Sequence, residues 1–449
     1  MRLIPVVASL LLCSSIHTTA NAQDLAGEIA DLRKALAAVQ QDYEARISDL
    51  EDRLARAEQL ARAAKDDASE AYEIAEQTAI EQTSGGSAAN TFNPAIGATV
   101  SGRYANIDRG WEEIPGFVPA GEIGTGEAGF ALGEVELNMK ANVDNRFFGN
   151  LTFAIHDESG EAEVELEEAW LQTTGLSSGL SLTGGRFFSA NGYLNSFHRH
   201  ADDFTDRPLP YQAFLGGQYV VDGLQARWIA PTGMLLELGT ELNWGSSFPA
   251  SENAEDSPSA YSVFAKLGGD VGTNNSWQLG VSWLSADAIE RSSGHAHATV
   301  ELETFTGSSD LAGIDFVWKW APDGNSSYRN VKLQAEYFSR SESGEFDAID
   351  YDGDQSGWYL QGVWQFRPGW RVGYRHDVVD ADSGPALVGT ELEDPGRSSS
   401  RDSLMLDWSP SEFSRLRLQL IDDRVFSEAD LQWYLQYIMS IGAHGGHQF

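Results

Sequence analysis

The chain has 449 residues, a formal net charge of −37 at pH 7, 13 Trp and a single Cys. That charge excludes a nucleic-acid partner, whose phosphates need Lys and Arg, and the aromatic content excludes a disordered acidic chain. One Cys leaves no internal disulfide and no Cys-based metal or redox centre.

Residues 1–22 read as an export signal. Arg2 precedes the apolar run "LIPVVASLLL", too short to span a bilayer as a helix, and Ala20-Asn21-Ala22 offers a small-x-small cleavage site. Cleavage there removes Cys13 and starts the mature chain at Gln23. No later run approaches 18 apolar residues, so no transmembrane helix is expected.

Residues 23–83 read as a periplasmic coiled coil. Apolar positions run Leu25, Ile29, Leu32, Leu36, Val39, Tyr43, Ile47, Leu50 and Leu54, then continue through Ala57, Ala61, Ala64, Ala68, Ala71 and Ala75. This is a heptad seam with one stutter at Val39–Tyr43–Ile47. At about 1.5 Å per residue the helix is roughly 90 Å long, and its stripe needs a partner, which predicts oligomerisation. A single amphipathic helix folded back on the chain is the alternative. The stretch "TSGGSAAN" then marks a flexible linker, assigned to 84–92.

From residue 93 the apolar period becomes two. In "EVELNMKANV", Val135, Leu137, Met139, Ala141 and Val143 share one face, with Glu134, Glu136, Asn138, Lys140 and Asn142 on the other. About sixteen such segments centre near residues 100, 137, 151, 168, 183, 225, 238, 264, 280, 316, 334, 361, 373, 405, 418 and 436. Tight Pro/Gly/Asp/Asn turns alternate with long polar connections at 106–126, 189–217, 245–258, 285–309, 341–355 and 377–401. A β-sandwich also shows period-two strands. Aromatic-bearing faces on nearly every segment, and connections sorted by length onto two ends, predict instead an all-β transmembrane barrel of about 16 antiparallel strands over 93–449.

Several stretches carry a resemblance: "FNPAIGATVSGRYAN", "GFALGEVELNMKANVDN", "VELEEAWLQTTGL", "GGRFFSANGYLN", "FHRHADDFTDRPLPYQAFLGGQY" and "HGGHQF". They resemble a family of Gram-negative outer-membrane proteins often labelled zinc-regulated or TonB-dependent outer-membrane receptors. The architecture is similar to trimeric porins with a periplasmic N-terminal coiled coil. A TonB-dependent receptor has a 22-stranded barrel and an N-terminal plug; this chain has the length for neither and carries a coiled coil in the plug's place. The resemblance implies the outer membrane as location and the barrel assembly machinery as a partner. It also implies that the terminal strand, with Trp433, Tyr437 and Phe449, is the assembly signal.

In general porins the third extracellular loop folds inward as the constriction. Here 189–217 packs His198, Arg199, His200, Asp202, Asp203, Asp206 and Arg207 into ten residues, which makes them constriction candidates. A solvated surface loop is the alternative. Facing charges are expected from Glu134, Glu136, Lys140 and Arg186, and from Glu161, Glu163, Glu165 and Glu167, whose alternation points them one way. An H-x-H on a strand sets two imidazoles on one face, which makes His198/His200 and His295/His297 candidates for Zn²⁺ or another divalent ion. His444 and His447 fall on opposite parities. No other cofactor is expected. "DAIDYDGDQSG" (347–357) departs from a calcium loop at Gln355 and Gln361 and reads as an acidic loop.

No G-x-S-x-G, H-E-x-x-H or P-loop is present. The expected function is therefore a porin passing small solutes passively, with cation preference. The alternatives are an envelope tether acting through the coil and a metal or small-solute uptake receptor. Expected partners are outer-membrane lipid, lipopolysaccharide, two further copies of the chain as a homotrimer, and peptidoglycan.

Overall fold

A computed structural model describes residues 94–449 apart from 118–122, 159–160, 252–256, 293–303, 348, 383–386, 391 and 443–449, together with helical Lys34, Ala37 and Gln41. The chain divides into two units, Met1–Thr91 and Phe92–Phe449. The signal segment, almost all of the coiled coil, the linker, His295, His297, His444, His447 and Phe449 lie outside the described residues.

The second unit is a closed barrel. Its first half comprises β1 (Ala95–Asn106), β2 (Gly129–Asn142), β3 (Phe147–Glu158), β4 (Glu161–Thr173), β5 (Leu180–Phe188), β6 (Val220–Ile229), β7 (Leu235–Asn243) and β8 (Ala260–Val271). The second half comprises β9 (Asn275–Ser292), β10 (Thr304–Trp320), β11 (Asn330–Phe346), β12 (Ile349–Arg367), β13 (Trp370–Asp382), β14 (Ser399–Ser411), β15 (Ser414–Arg424) and β16 (Asp430–Gly442). Each strand pairs antiparallel with its neighbours, and β1 closes on β16 from Gly97↔Gly442 to Asn106↔Trp433. Closure leaves no row of unpaired backbone groups, which is the condition for a sheet in hydrocarbon.

Alternation sets which solvent each face meets. Leu137, Leu238, Ile314, Phe316, Leu360, Leu404, Leu418 and Leu435 are exposed on the outside, while Gln225, Glu241, Gln334, Gln361, Asp407, Gln419 and Gln432 are buried within. All sixteen strands expose at least one large apolar side chain. Moving one per strand from water into hydrocarbon is worth about 1.5–3 kcal/mol each. The sum exceeds the roughly 5–15 kcal/mol that holds an ordinary domain folded. The barrel is therefore built for lipid outside and polar groups inside. Tyr104 and Trp433, ring centroids 5.2 Å apart and planes tilted by 31°, meet across the closing seam.

The strands contain all the expected centres, but two connections are shorter than read. β9 and β10 extend into 285–309, and 341–355 is mostly ladder, with Phe346 paired to Ile349. The expected acidic loop 347–357 is thus largely the start of β12. There Asp350, Asp352 and Asp354 are exposed and Tyr351, Gly353 and Gln355 buried. Alternation continues with polar residues on the outer face, so hydrophobicity no longer marks the strand.

Inside, the connection between β5 and β6, third on its end of the barrel after those between β1 and β2 and between β3 and β4, folds back into the barrel. Pro208 and Pro210 bracket the start of a short helix, α1 (Leu209–Leu215), all of whose residues are buried. Gly216, at φ 58°, ends it in the left-handed conformation that only glycine adopts cheaply. Leu194, Leu209, Tyr211 and Phe214 form one apolar cluster with Trp111 and Phe117 of the first long connection and Phe338 and Tyr359 of the wall.

Candidate functional site

The third connection is strapped across the lumen, and its sequence divides by charge. His198 and His200 turn toward β2 and β4, and Asp203 and Asp206 turn toward β11–β14.

On the basic side, Asp203 lies 2.9 Å from Lys332 Nζ and 2.8 Å from Arg371 Nη1. Asp206 lies 2.9 Å from Arg375 Nη2, pairs also with Arg401, and accepts from Gln419 Nε2 at 2.6 Å. Arg417 Nη2 donates to the Asp202 carbonyl at 2.7 Å. Burial raises a carboxyl pKa, yet Lys332 and Arg371 hold Asp203 well below its ordinary value. Arg375 and Arg401 likewise bring Asp206 down to about 2. Burial wins at Asp202, whose pKa is raised despite Arg207.

Arg207 serves the loop itself. Its Nε sits 2.7 Å from Asp202, while Nη1 and Nη2 donate to the Leu194 and Phe197 carbonyls at 3.1 and 2.6 Å. The constriction candidates Asp202, Asp203, Asp206 and Arg207 are placed inside the barrel, and each is ion-paired there. Asp203 and Asp206 meet their counter-charges on the basic wall, while Asp202 and Arg207 pair with each other within the loop.

On the acidic side, His198 Nε2 lies 3.0 Å from Glu168 Oε2. Its Nδ1 lies 3.2 Å from Glu136 Oε2 and 3.5 Å from Glu167 Oε2. His200 Nδ1 reaches the same Glu136 oxygen at 2.8 Å. Burial works against charge on His198, but the three carboxylates outweigh it and hold its pKa well above the ordinary value. Glu134 joins Glu136 and His200 in one group of potential ligands. Lys140 is half-buried on the same strand face as Glu136.

Glu163 and Glu165 are exposed. A bulge between Thr152 and Phe153 breaks the β4 alternation at Glu167, so that Glu168, paired with Thr152, is also aimed inward. Arg199 is exposed, outside both sets of ion pairs. Arg186 sits on the face opposite buried Thr183 and Phe187 and pairs with Asp222 at 3.3 Å. The expected inward-facing role for Arg186 is corrected by that parity. Trp433 and Tyr437 lie on β16 as expected, with Tyr437 on the exposed face.

Three groups of residues escaped the sequence reading. Glu168 needs the bulge to be seen. Glu336 accepts from Tyr193 N at 2.8 Å, Leu194 N at 3.1 Å and Tyr211 Oη at 2.8 Å, pinning the loop mid-wall. The basic wall of Lys332, Arg371, Arg375, Arg401 and Arg417 shows in the sequence only as scattered cations on strand segments, in "VKLQAE", "WRVGYR", "SRDSLM" and "SRLRLQ".

No family model matches the chain. A protein of Aquifex aeolicus (strain VF5), described as uncharacterized, is 31% identical over 344 residues, which span 72% of this chain and 70% of that one. Among solved structures, the outer membrane channel DcaP of Acinetobacter baumannii superposes with a TM-score of 0.50 at 13% identity, covering 78% of this chain and 97% of that one. A loop L8 deletion mutant of OmpT, an outer membrane protein of Vibrio cholerae, gives a TM-score of 0.50 at 9% identity over 78% and 99%. At these identities the likeness is one of fold.

Proposed function

We propose that this chain, which belongs to the same family as the Aquifex aeolicus protein, is an outer-membrane channel for passive diffusion of small solutes. The observation that carries the reading is the third connection, which lies inside a closed, polar-lined barrel and is pinned to both walls. A strap of this kind narrows a lumen without sealing backbone to backbone. Solutes cross beside it, in a field between carboxylates on β2–β4 and guanidinium groups on β13–β15, which orients dipoles and sorts ions by charge. Cation preference is read from the carboxylates of Glu163 and Glu165, which are exposed on β4. The reading invokes no covalent chemistry and no energy input.

Folded protein in planar bilayers is expected to give discrete conductance steps with a cation-preferring reversal potential. The double substitution Glu163→Gln/Glu165→Gln is expected to shift that potential toward zero at similar conductance. Folded protein that forms no channels overturns the reading. A reversal potential unmoved by the double substitution removes these carboxylates as the source of selectivity.

A further inference from the structure

We propose that His198 Nδ1, Glu136 and Glu167 form a binding site for a divalent transition-metal ion of the Zn²⁺ class, with His200 and Glu134 extending it on the far side of Glu136. The site ties the loop to two strands of the wall at once, β2 through Glu136 and β4 through Glu167.

Three observations carry it. The first is spacing. Zinc bonds of about 2.0–2.2 Å in a tetrahedron place ligand atoms about 3.3–3.6 Å apart, and His198 Nδ1 stands 3.2 and 3.5 Å from the two carboxylate oxygens. The three ligand atoms fall within one ion's reach, as do those of Glu134, Glu136 and His200.

The second is the poor hydrogen-bond geometry of these close contacts. Glu136 is 5% exposed. Its Oε2, the Glu167 Oε2 and the Nδ1 atoms of both imidazoles are buried atoms that make no hydrogen bond. They converge without the alignment a hydrogen bond needs, whereas a metal ion asks only for lone pairs on a common centre.

The third is the support behind His198. Its Nε2 faces Glu168 Oε2 at 3.0 Å. Glu168 in turn accepts from Asn150 Nδ2 and Trp170 Nε1, each at 2.9 Å. An acceptor there holds the proton on Nε2 and turns the Nδ1 lone pair toward the carboxylates. A carboxylate behind a ligating histidine is the usual outer shell of a metal site, and its loss typically costs 10–100-fold in affinity. His200 also lines a cavity of about 130 Å³ beside the β14–β15 turn, with Arg415, Phe413 and Ser440. Nitrogen from imidazole with carboxylate oxygen suits Zn²⁺ ahead of Ca²⁺ or Mg²⁺, which take oxygen.

The test uses the folded full-length chain and Zn²⁺ alone, followed by titration calorimetry. Wild type is expected to bind saturably. Glu136→Gln and His198→Ala are expected to weaken binding at least 100-fold, and Glu168→Gln about 10–100-fold. Folding of each variant is checked by heat-modifiable gel mobility. X-ray absorption on the Zn²⁺-loaded wild type needs no variant and is expected to show both imidazole and carboxylate ligands. Absence of saturable binding overturns the proposal and leaves an imidazolium clamp between loop and wall. Full binding retained in His198→Ala/Glu136→Gln, or an all-oxygen shell, overturns it equally. Because the readout is binding, failure here leaves the channel reading standing, and absence of conductance leaves this one.

Discussion

Asp206 Oδ2 lies 2.9 Å from Arg375 Nη2, which joins the tip of the inward loop to the barrel wall. The same carboxylate pairs with Arg401, and the Asp206 carbonyl accepts from Arg375 Nη1 at 2.7 Å. Both arginine side chains are 1% exposed, so the contact is removed from water. Breaking a buried pair from one side costs more than the pair contributes, because the partner's charge stays behind. Here Asp377 also touches both guanidinium groups, which softens the loss. Asp206→Asn is therefore expected to cost about 2–4 kcal/mol, and to raise open-channel noise as the strap loosens. A thermal transition and noise level matching wild type sink this account of the docking.

The same contact sets an acid limit. Burial alone raises the Asp206 carboxyl, but Arg375 and Arg401 bring it down to about 2. A carboxylate whose folded pKa is depressed adds stability above its unfolded pKa of about 3.9 and loses it as pH falls through the folded value. Asp203, held low by Lys332 and Arg371, acts in the same sense. Asp202, raised by burial, acts in the opposite one and partly offsets them. Protease protection of the loop is expected to stay flat from neutral pH to about 4 and to fall between about 4 and 2. Loss of protection above about pH 5 would mean that other groups hold the loop.

The barrel was legible because lipid outside and polar groups inside impose alternation on every strand, and alternation is a local property of sequence. The loop was legible as far as its composition. What composition could not supply was partnership: Asp203 meets Lys332 and Arg371, residues more than a hundred positions away, and only strand order brings them together. The β4 bulge shows a second limit. One extra residue at Glu167 re-aims Glu168, and a period-two reading carried straight through "ELEEAW" assigns Glu168 to the wrong face. The hairpin around residue 347 shows a third. Where both faces of a strand are polar, alternation persists in burial but vanishes from hydropathy.

Glu336 is the loop's central anchor, and its chemistry ranks two substitutions. Its two oxygens receive Tyr193 N, Leu194 N and Tyr211 Oη at 2.8, 3.1 and 2.8 Å, together with the Tyr359 hydroxyl. Every one of these partners is a donor. Glu336→Gln keeps the shape but turns one oxygen into an amide that also donates, leaving buried donors facing a donor. Unsatisfied buried polar groups cost about 1–3 kcal/mol each, so the expected loss is about 3 kcal/mol. Tyr211→Phe removes one donor to Glu336 and the acceptor for Leu194 N and Asn195 N, at 3.0 and 3.2 Å. Leu194 N keeps Glu336, so the expected loss is about 1–2 kcal/mol. Urea titration of protein folded in lipid vesicles is expected to order the proteins wild type, Tyr211→Phe, Glu336→Gln by falling stability. Both variants are expected to expose the loop to protease before the barrel unfolds. If Glu336→Gln matches wild type, the carboxylate is not what holds Tyr193 and Leu194 in place, and the strap owes its position to the apolar cluster around α1.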